Sequence, residues 1–141
     1  MALKTIFLDS MILIAAVKEK DEFKGSAEFL LQKINDGKYE AFASVISLSE
    51  LSYVLKGLKF SNEKINSSIH SVLSINNITF LPLTVNIFKQ ASDFILAYKT
   101  GLNDSIITST MFHTSIREIV TEDADFDKFP FIKRLKFDDL I

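Results

Sequence analysis

The chain has 141 residues, 48% hydrophobic and 24% charged, with a formal net charge of −2. That length suits one domain over residues 1–141, long enough to bury a sizeable core. The absence of Cys excludes disulfides, thiol catalysis and cysteine-ligated zinc, and the negative balance argues against gripping nucleic acid by bulk positive charge. No apolar run approaches the ~20 residues of a membrane span, and no basic segment with a long apolar run precedes the first strand. A cytoplasmic protein without a membrane partner is expected.

The apolar run Thr5-Ile6-Phe7-Leu8 predicts a buried strand, and residues 10–18 a short, mostly buried helix. Phe23, Ala27, Leu30, Leu31 and Ile34 recur at helical spacing, closed by Asn35-Asp36-Gly37. Tyr39 to Val45 predicts a second strand, Ser47 to Leu58 a helix, and a further helix starts at Ser61-Asn62-Glu63. Residues 78–83 predict a third strand, whose late Pro82 marks a strand end or an edge position. Val85, Phe88, Ala91, Ile95 and Leu96 predict a long amphipathic helix closed by Thr100-Gly101; another follows, capped by Asn103 or Asp104, to about Thr114. Arg117 to Thr121 predicts a fourth strand and Leu135-Lys136-Phe137 a short fifth. Strands alternating with helices imply right-handed crossovers. The expected class is α/β: a three-layer sandwich whose mostly parallel sheet of four to five strands is covered on both faces.

Acidic residues stand where predicted strands hand over to helices: Asp9, Glu50, Asp104 and Asp123. In an open parallel sheet, ligands bind at the carboxyl ends of the strands. Carboxylates gathered there repel one another unless a cation or a proton lies between them. A hard divalent cation takes oxygen ligands and bridges to phosphate, so the pattern points to metal-assisted cleavage of a phosphodiester.

Each acid also has a structural explanation. Asp9 can cap the helix after its strand. Ser47-Leu48-Ser49-Glu50 has the S-x-x-E form of a capping box, with Ser49 as an alternative cap. Asp104 suits a helix start, where the macrodipole favours negative charge. Asp123 and Asp125 lie in an acidic turn, Thr121 to Asp127, that reads as a solvated loop or as a segment supplying several ligands. His70 and His113 are not paired at ligand spacing, and the four glycines form no phosphate-binding fingerprint. Lys128, Lys133, Arg134 and Lys136, with Lys56 and Lys59, are solvated-face residues or contacts for a phosphate backbone.

With those residues placed, the chain resembles the PIN-domain ribonucleases, especially the small VapC-type toxins, over nearly its whole length. Ile6-Phe7-Leu8-Asp9-Ser10 resembles the family's strand, Asp and hydroxyl residue. Ser47-Leu48-Ser49-Glu50-Leu51 resembles its helix start with Glu. Gly101-Leu102-Asn103-Asp104-Ser105-Ile106-Ile107 and Thr121-Glu122-Asp123-Ala124-Asp125-Phe126 resemble its later Asp and T-x-D-x-D-F segments. The resemblance implies that Asp9, Glu50, Asp104 and Asp123 are the catalytic acids lining a Mg²⁺ or Mn²⁺ site. Asp125 would be an auxiliary ligand, and Ser10 and Thr121 would orient carboxylates or water. It also implies an RNA substrate, an antitoxin protein as partner, and a homodimer. Met11 departs from the polar residue many relatives carry two places after the first Asp.

Two rivals share the expected fold. A phosphotransfer protein, either a receiver or an aspartate-nucleophile phosphatase, also places an Asp after a buried strand; the phosphatase pattern needs a second Asp where this chain has Met11. A non-catalytic PIN-like binding module would keep the fold without the chemistry. The homodimer has a motive in the sequence as well: the helices at 48–58 and 62–75 carry Leu51, Val54, Leu55, Ile65, Ile69 and Val72, more apolar surface than one sheet face covers. The alternative is that these two helices pack on each other within one chain.

Overall fold

A computed structural model describes residues 3–140; Met1, Ala2 and Ile141, part of the expected 1–141 domain, lie outside the described residues. Five strands form one sheet: β1 Lys4–Leu8, β2 Tyr39–Ser44, β3 Ile78–Leu81, β4 Glu118–Val120 and β5 Lys133–Leu135. Their spatial order is β3-β2-β1-β4-β5, and every pairing is parallel. The helices are α1 Ser10–Val17, α2 Lys24–Asn35, α3 Ile46–Gly57, α4 Asn62–Leu73, α5 Val85–Tyr98 and α6 Leu102–Thr114. Short 3₁₀ helices span Ala124–Lys128 and Phe137–Leu140.

Side chains alternate across the sheet with period two. Ile6, Leu8, Ala41, Ala43 and Val120 face a core built with residues of α1 to α4, among them Ile12, Leu13, Leu30, Ile34, Leu51 and Leu55. Phe7 and Ile119 face the opposite way, into a core with Ile107 and Met111 of α6 and with Phe126 and Phe129. Both faces are covered, as in the expected three-layer α/β architecture. β1, fully buried from Ile6 to Leu8, lies at the centre. β3 lies at an edge, and Pro82 follows its last residue, where no further ladder hydrogen bond is lost.

The second core holds a cluster of aromatic rings. Phe94 and Tyr98 of α5 meet Phe129 and Phe131 with ring centroids 5.4 to 6.1 Å apart. Such pairs contribute roughly 0.5–1.5 kcal/mol each beyond their buried area. They hold the segment after β4 against α5, and that segment carries Asp123 and Asp125.

Several boundaries differ from expectation. The fifth strand is Lys133–Leu135, not Leu135–Phe137, because its register is set by pairing Glu118 to Lys133 and Val120 to Leu135. α2 is closed by Gly37 at φ 84, a left-handed conformation that glycine adopts without steric cost. α5 ends in a left-handed residue too, but this is Lys99 at φ 56 rather than Gly101. Leu51, Leu55, Ile65 and Val72, expected to need a partner chain, are buried within this one where α3 packs on α4. Val54 and Ile69 are only half-buried, so the packing of α3 on α4 weakens the motive for a dimer through these helices without covering all of the apolar surface that suggested it.

Candidate active site

From β1 the chain builds outward to β2 and β3, then crosses back to place β4 on the other side of β1. Ligands bind at such a switch point, outside the carboxyl ends of the strands. Asp9 leaves β1 there, its backbone N–H donating to the Val120 carbonyl at 3.3 Å, and Thr121 leaves β4 beside it. α1 and α3 start at this edge, and the first turn of α6 carries Asp104. Helix N-termini favour negative charge.

Asp9 occupies the N-cap position of α1 but its side chain does not cap the helix. The carboxylate is 6% exposed, and its Oδ2 accepts a 2.8 Å hydrogen bond from Thr121 Oγ1–H. Thr121 Oγ1 accepts in turn from the Asp123 backbone N–H at 3.0 Å, so one buried hydroxyl joins the first acid to the acidic turn. The Asp9 pKa is pushed up to about 7, first by burial and then by the charges of Asp104 and Glu50, against the opposing Thr121 hydroxyl and Ser10 backbone N–H.

Asp104 is the third residue of α6. The N-cap is Gly101, so neither Asn103 nor Asp104 caps the helix as expected. Asp104 is pushed up to about 6, by burial first and then by the charges of Asp123, Glu50 and Asp125, with Lys128 opposing. It is thus coupled to all four other candidate acids, Asp9 included. Carboxylate oxygens of Asp104, Asp123 and Asp125 lie within 4.8 Å of one another. Asp9 and Glu50 stand outside that tight group and join it through their charges. Asp123 also accepts from the Asp125 backbone N–H at 2.9 Å, so the acidic turn is a capped 3₁₀ helix whose Asp123 and Asp125 are both solvent-exposed.

Glu50 forms no capping box. α3 begins at Ile46, with Val45 at the cap position, and the Ile46 backbone N–H donates to Ser44 Oγ at 3.2 Å. Ser47 is therefore inside the helix, fully buried, with its Oγ 2.8 Å from Ser10 Oγ. Ser10 Oγ is also 2.6 Å from Glu50 Oε1. Ser10 Oγ–H is the donor in both contacts, its one proton shared between Ser47 Oγ and the Glu50 carboxylate, which only accepts. Ser47 was missed as a site-supporting residue; the only sequence signal was a serine three places before an acid, which is also the capping signature.

The remaining expectations divide. Arg134 is bound to Asp127 through two hydrogen bonds of 3.0 and 3.1 Å, so it is not a free phosphate contact. Lys128 reaches Asp125 at 3.9 Å and stands beside the acids. His70 and His113 are exposed. Met11 packs against the first core, which leaves no second acid of the phosphatase kind beside Asp9. Among the described residues, no helix is long and apolar enough to cross a membrane.

The model of the PIN domain matches residues 6–132. The chain belongs to the PIN-domain family. Among curated relatives, ribonuclease VapC13 of Mycobacterium tuberculosis is 26% identical over 131 residues, which cover 92% of this chain and 98% of the relative. The solved structure of M. tuberculosis VapC20, described as a sarcin–ricin-loop-cleaving toxin, superposes with a TM-score of 0.74 at 19% identity, covering 90% of this chain and 96% of that one. VapBC2 of Rickettsia felis, solved bound to a promoter DNA fragment, gives 0.70 at 18% identity, covering 94% and 98%. These solved structures share the PIN fold.

A divalent cation fits this PIN-domain site by the chemistry of its donors. Asp104, Asp123 and Asp125 offer only carboxylate oxygens, and oxygens around one Mg²⁺ at about 2.1 Å stand roughly 3–4 Å apart. Asp9 and Asp104 are raised above the ordinary carboxylate range by burial first and by the neighbouring carboxylates second, and a bound cation would offset the repulsion among them.

Proposed function

We propose that this PIN-domain chain is a Mg²⁺- or Mn²⁺-dependent endoribonuclease that hydrolyses RNA phosphodiester bonds and acts as the toxin of a toxin–antitoxin pair. The observation that carries the reading is the convergence of Asp9, Glu50, Asp104, Asp123 and Asp125 at the switch point of a PIN fold. The VapC ribonuclease relatives support the nuclease assignment, and a structural neighbour solved as a toxin–antitoxin complex supports a separate antitoxin protein as partner; the place of action in this proposal is the cytoplasm.

Asp9, Asp104, Asp123 and Asp125 would hold the cation. When bound, it supplies Lewis-acid polarisation of the phosphate and a lowered pKa for a water. The protein's own contribution is positional. Thr121 holds Asp9, and the Ser47–Ser10 pair commits Glu50 Oε1, leaving Oε2 to accept the proton of the attacking water. In the net reaction a water oxygen–phosphorus bond forms, a phosphorus–ribose oxygen bond breaks, and the leaving oxygen takes a proton from solvent.

A homodimer remains part of the proposal, but through a different surface. α5 exposes Val85 (74%), Phe88 (44%) and Leu96 (85%). Spaced i, i+3 and i+11, they form one apolar stripe.

The deciding experiment is cleavage of single-stranded RNA by the purified chain. Cleavage is expected to stop in excess chelator and to return with Mg²⁺ or Mn²⁺. Undiminished cleavage in chelator refutes the metal-dependent reading, and stable aspartyl-phosphate formation with a phosphodonor revives the phosphotransfer rival.

A further inference from the structure

Glu50 belongs to two surfaces. Besides joining the acids, it lines a cleft of about 440 Å³ together with Ile46, Ser49, Tyr53, Val54 and Asn103. Tyr53 follows Glu50 by one helical turn and is 83% exposed. Among the described residues it takes no part in the ring packing that occupies Phe94, Tyr98 and Phe129. Asn103 immediately precedes Asp104, so both polar walls of the cleft adjoin site acids.

We propose that this cleft seats an unpaired nucleobase of single-stranded RNA, stacked on the Tyr53 ring and read along its edge by the Asn103 amide. The proposal rests on the ribonuclease reading above. The charge balance supports it. The chain is net negative, and the phosphate must approach a group of carboxylates. Nearby cations are partly committed: Arg134 to Asp127, and Lys56 to Asn62 Oδ1 at 3.1 Å. Lys128 is the cation beside the acids and is itself 3.9 Å from Asp125, so phosphate attraction, which dominates most nucleic-acid binding, is limited in the metal-free protein, and contacts that do not depend on charge add to the affinity.

Base–aromatic stacking is such a contact, and single-stranded RNA is recognised largely through it. Ile46 and Val54 give the cleft apolar walls for the faces and edges of a base. The Asn103 amide has both donor and acceptor atoms, the combination a base edge requires. Because Glu50 is shared, a base in the cleft would sit beside the phosphate held at the acids. Tyr53 and Asn103 would then select which phosphodiester is cut.

Binding is measured by fluorescence anisotropy in chelator with a short single-stranded RNA substituted with 5-iodouridine. The same RNA is then photocrosslinked, and adducts are mapped by mass spectrometry. Cleavage kinetics follow with Mg²⁺. The expected results are an adduct on Tyr53, about tenfold weaker binding and raised KM for Tyr53→Ala with kcat little changed, and parental behaviour for Tyr53→Phe and Tyr53→Trp. Asn103→Ala is expected to alter preference among homopolymer RNAs. Tyr53 is a surface residue, so unchanged melting of its variants separates binding from folding. Parental affinity and KM in Tyr53→Ala overturn the base subsite, while continued metal-dependent cleavage leaves the nuclease reading intact. Conversely, a Tyr53 adduct without cleavage under any divalent cation refutes the nuclease reading and keeps the subsite. Protection of Tyr53 only on self-association, with no RNA dependence, also overturns the subsite.

Discussion

Thr121 Oγ1 donates to Asp9 Oδ2 at 2.8 Å across 112 positions of sequence. This single hydroxyl ties the carboxyl end of β4 to that of β1 and, by accepting from the Asp123 backbone N–H, fixes the acidic turn relative to the first acid. Thr121→Val keeps the shape and removes the bond, leaving a buried carboxylate oxygen unsatisfied. Destabilisation of about 1–3 kcal/mol in urea unfolding is expected, with a loss of cleavage that Thr121→Ser restores. Parental cleavage in Thr121→Val would mean that Asp9 does not need this orientation.

Asp9→Asn and Asp104→Asn delete charge while nearly preserving shape. Neither carboxylate caps its helix, so the loss of about 1 kcal/mol that follows removal of an N-cap is not expected. Both variants are expected to be inactive, with thermal midpoints in chelator at or above the parent because like-charge repulsion is relieved. Glu50→Gln belongs with them, since the capping role that would have cost it stability is absent. Near-parental cleavage with earlier melting in the two Asp variants would remove the nuclease assignment.

The pH dependence of the metal-free protein follows from the same two groups. Asp9 and Asp104 are raised from the ordinary 3.8 to about 7 and about 6. The folded state therefore binds their protons more tightly than the unfolded chain. Their stabilising contribution is fully present below pH 3.8 and is lost as the pH rises through about 6 to 7. Thermal melts in chelator are expected to show a lower midpoint at pH 8 than at pH 5, and added Mg²⁺ or Mn²⁺ is expected to raise it more at pH 8. A metal-free midpoint that does not fall over this range would contradict the burial and mutual repulsion inferred for these two carboxylates.

Ser47 acts through Ser10 on Glu50. Ser47→Ala is expected to cost about 1 kcal/mol of stability and to lower kcat several-fold with KM little changed. In a Glu50→Gln background the kinetic effect of Ser47→Ala is expected to vanish, since residues of one hydrogen-bonded chain are not additive. Equal fold-effects in both backgrounds would show Ser47 to be purely structural.

Self-association through α5 predicts a dimer by light scattering at micromolar concentration. Leu96→Glu, at a position 85% exposed, is expected to give a folded monomer with an unchanged melting profile in dilute solution. A monomeric parent mass at all micromolar concentrations counts against the dimer.

Much of the fold is legible in local pattern. The run Ile6-Phe7-Leu8 has no polar break because β1 is buried on both faces. Pro82 announced the end of an edge strand, and Gly37 the left-handed close of α2. These features depend on neighbours in the chain, so a window of sequence contains their cause. The order of the acids, each beside a strand end or a helix start, is legible in the same way.

The caps and the fifth strand were not. Ser47 and Glu50 satisfy the spacing of a capping box, yet Ser47 is turned to Ser10 and Glu50 accepts from Ser10, 40 positions away. Lys133–Leu135 became β5 because β4 offered it a register. Composition and periodicity alone determined an α/β chain with acids at the strand ends. Which hydroxyl serves which acid, and how far burial and neighbouring charge raise Asp9 and Asp104, was decided only by tertiary structure. A side-chain hydrogen bond or a charge–charge repulsion depends on distance in space, and local sequence does not encode that distance.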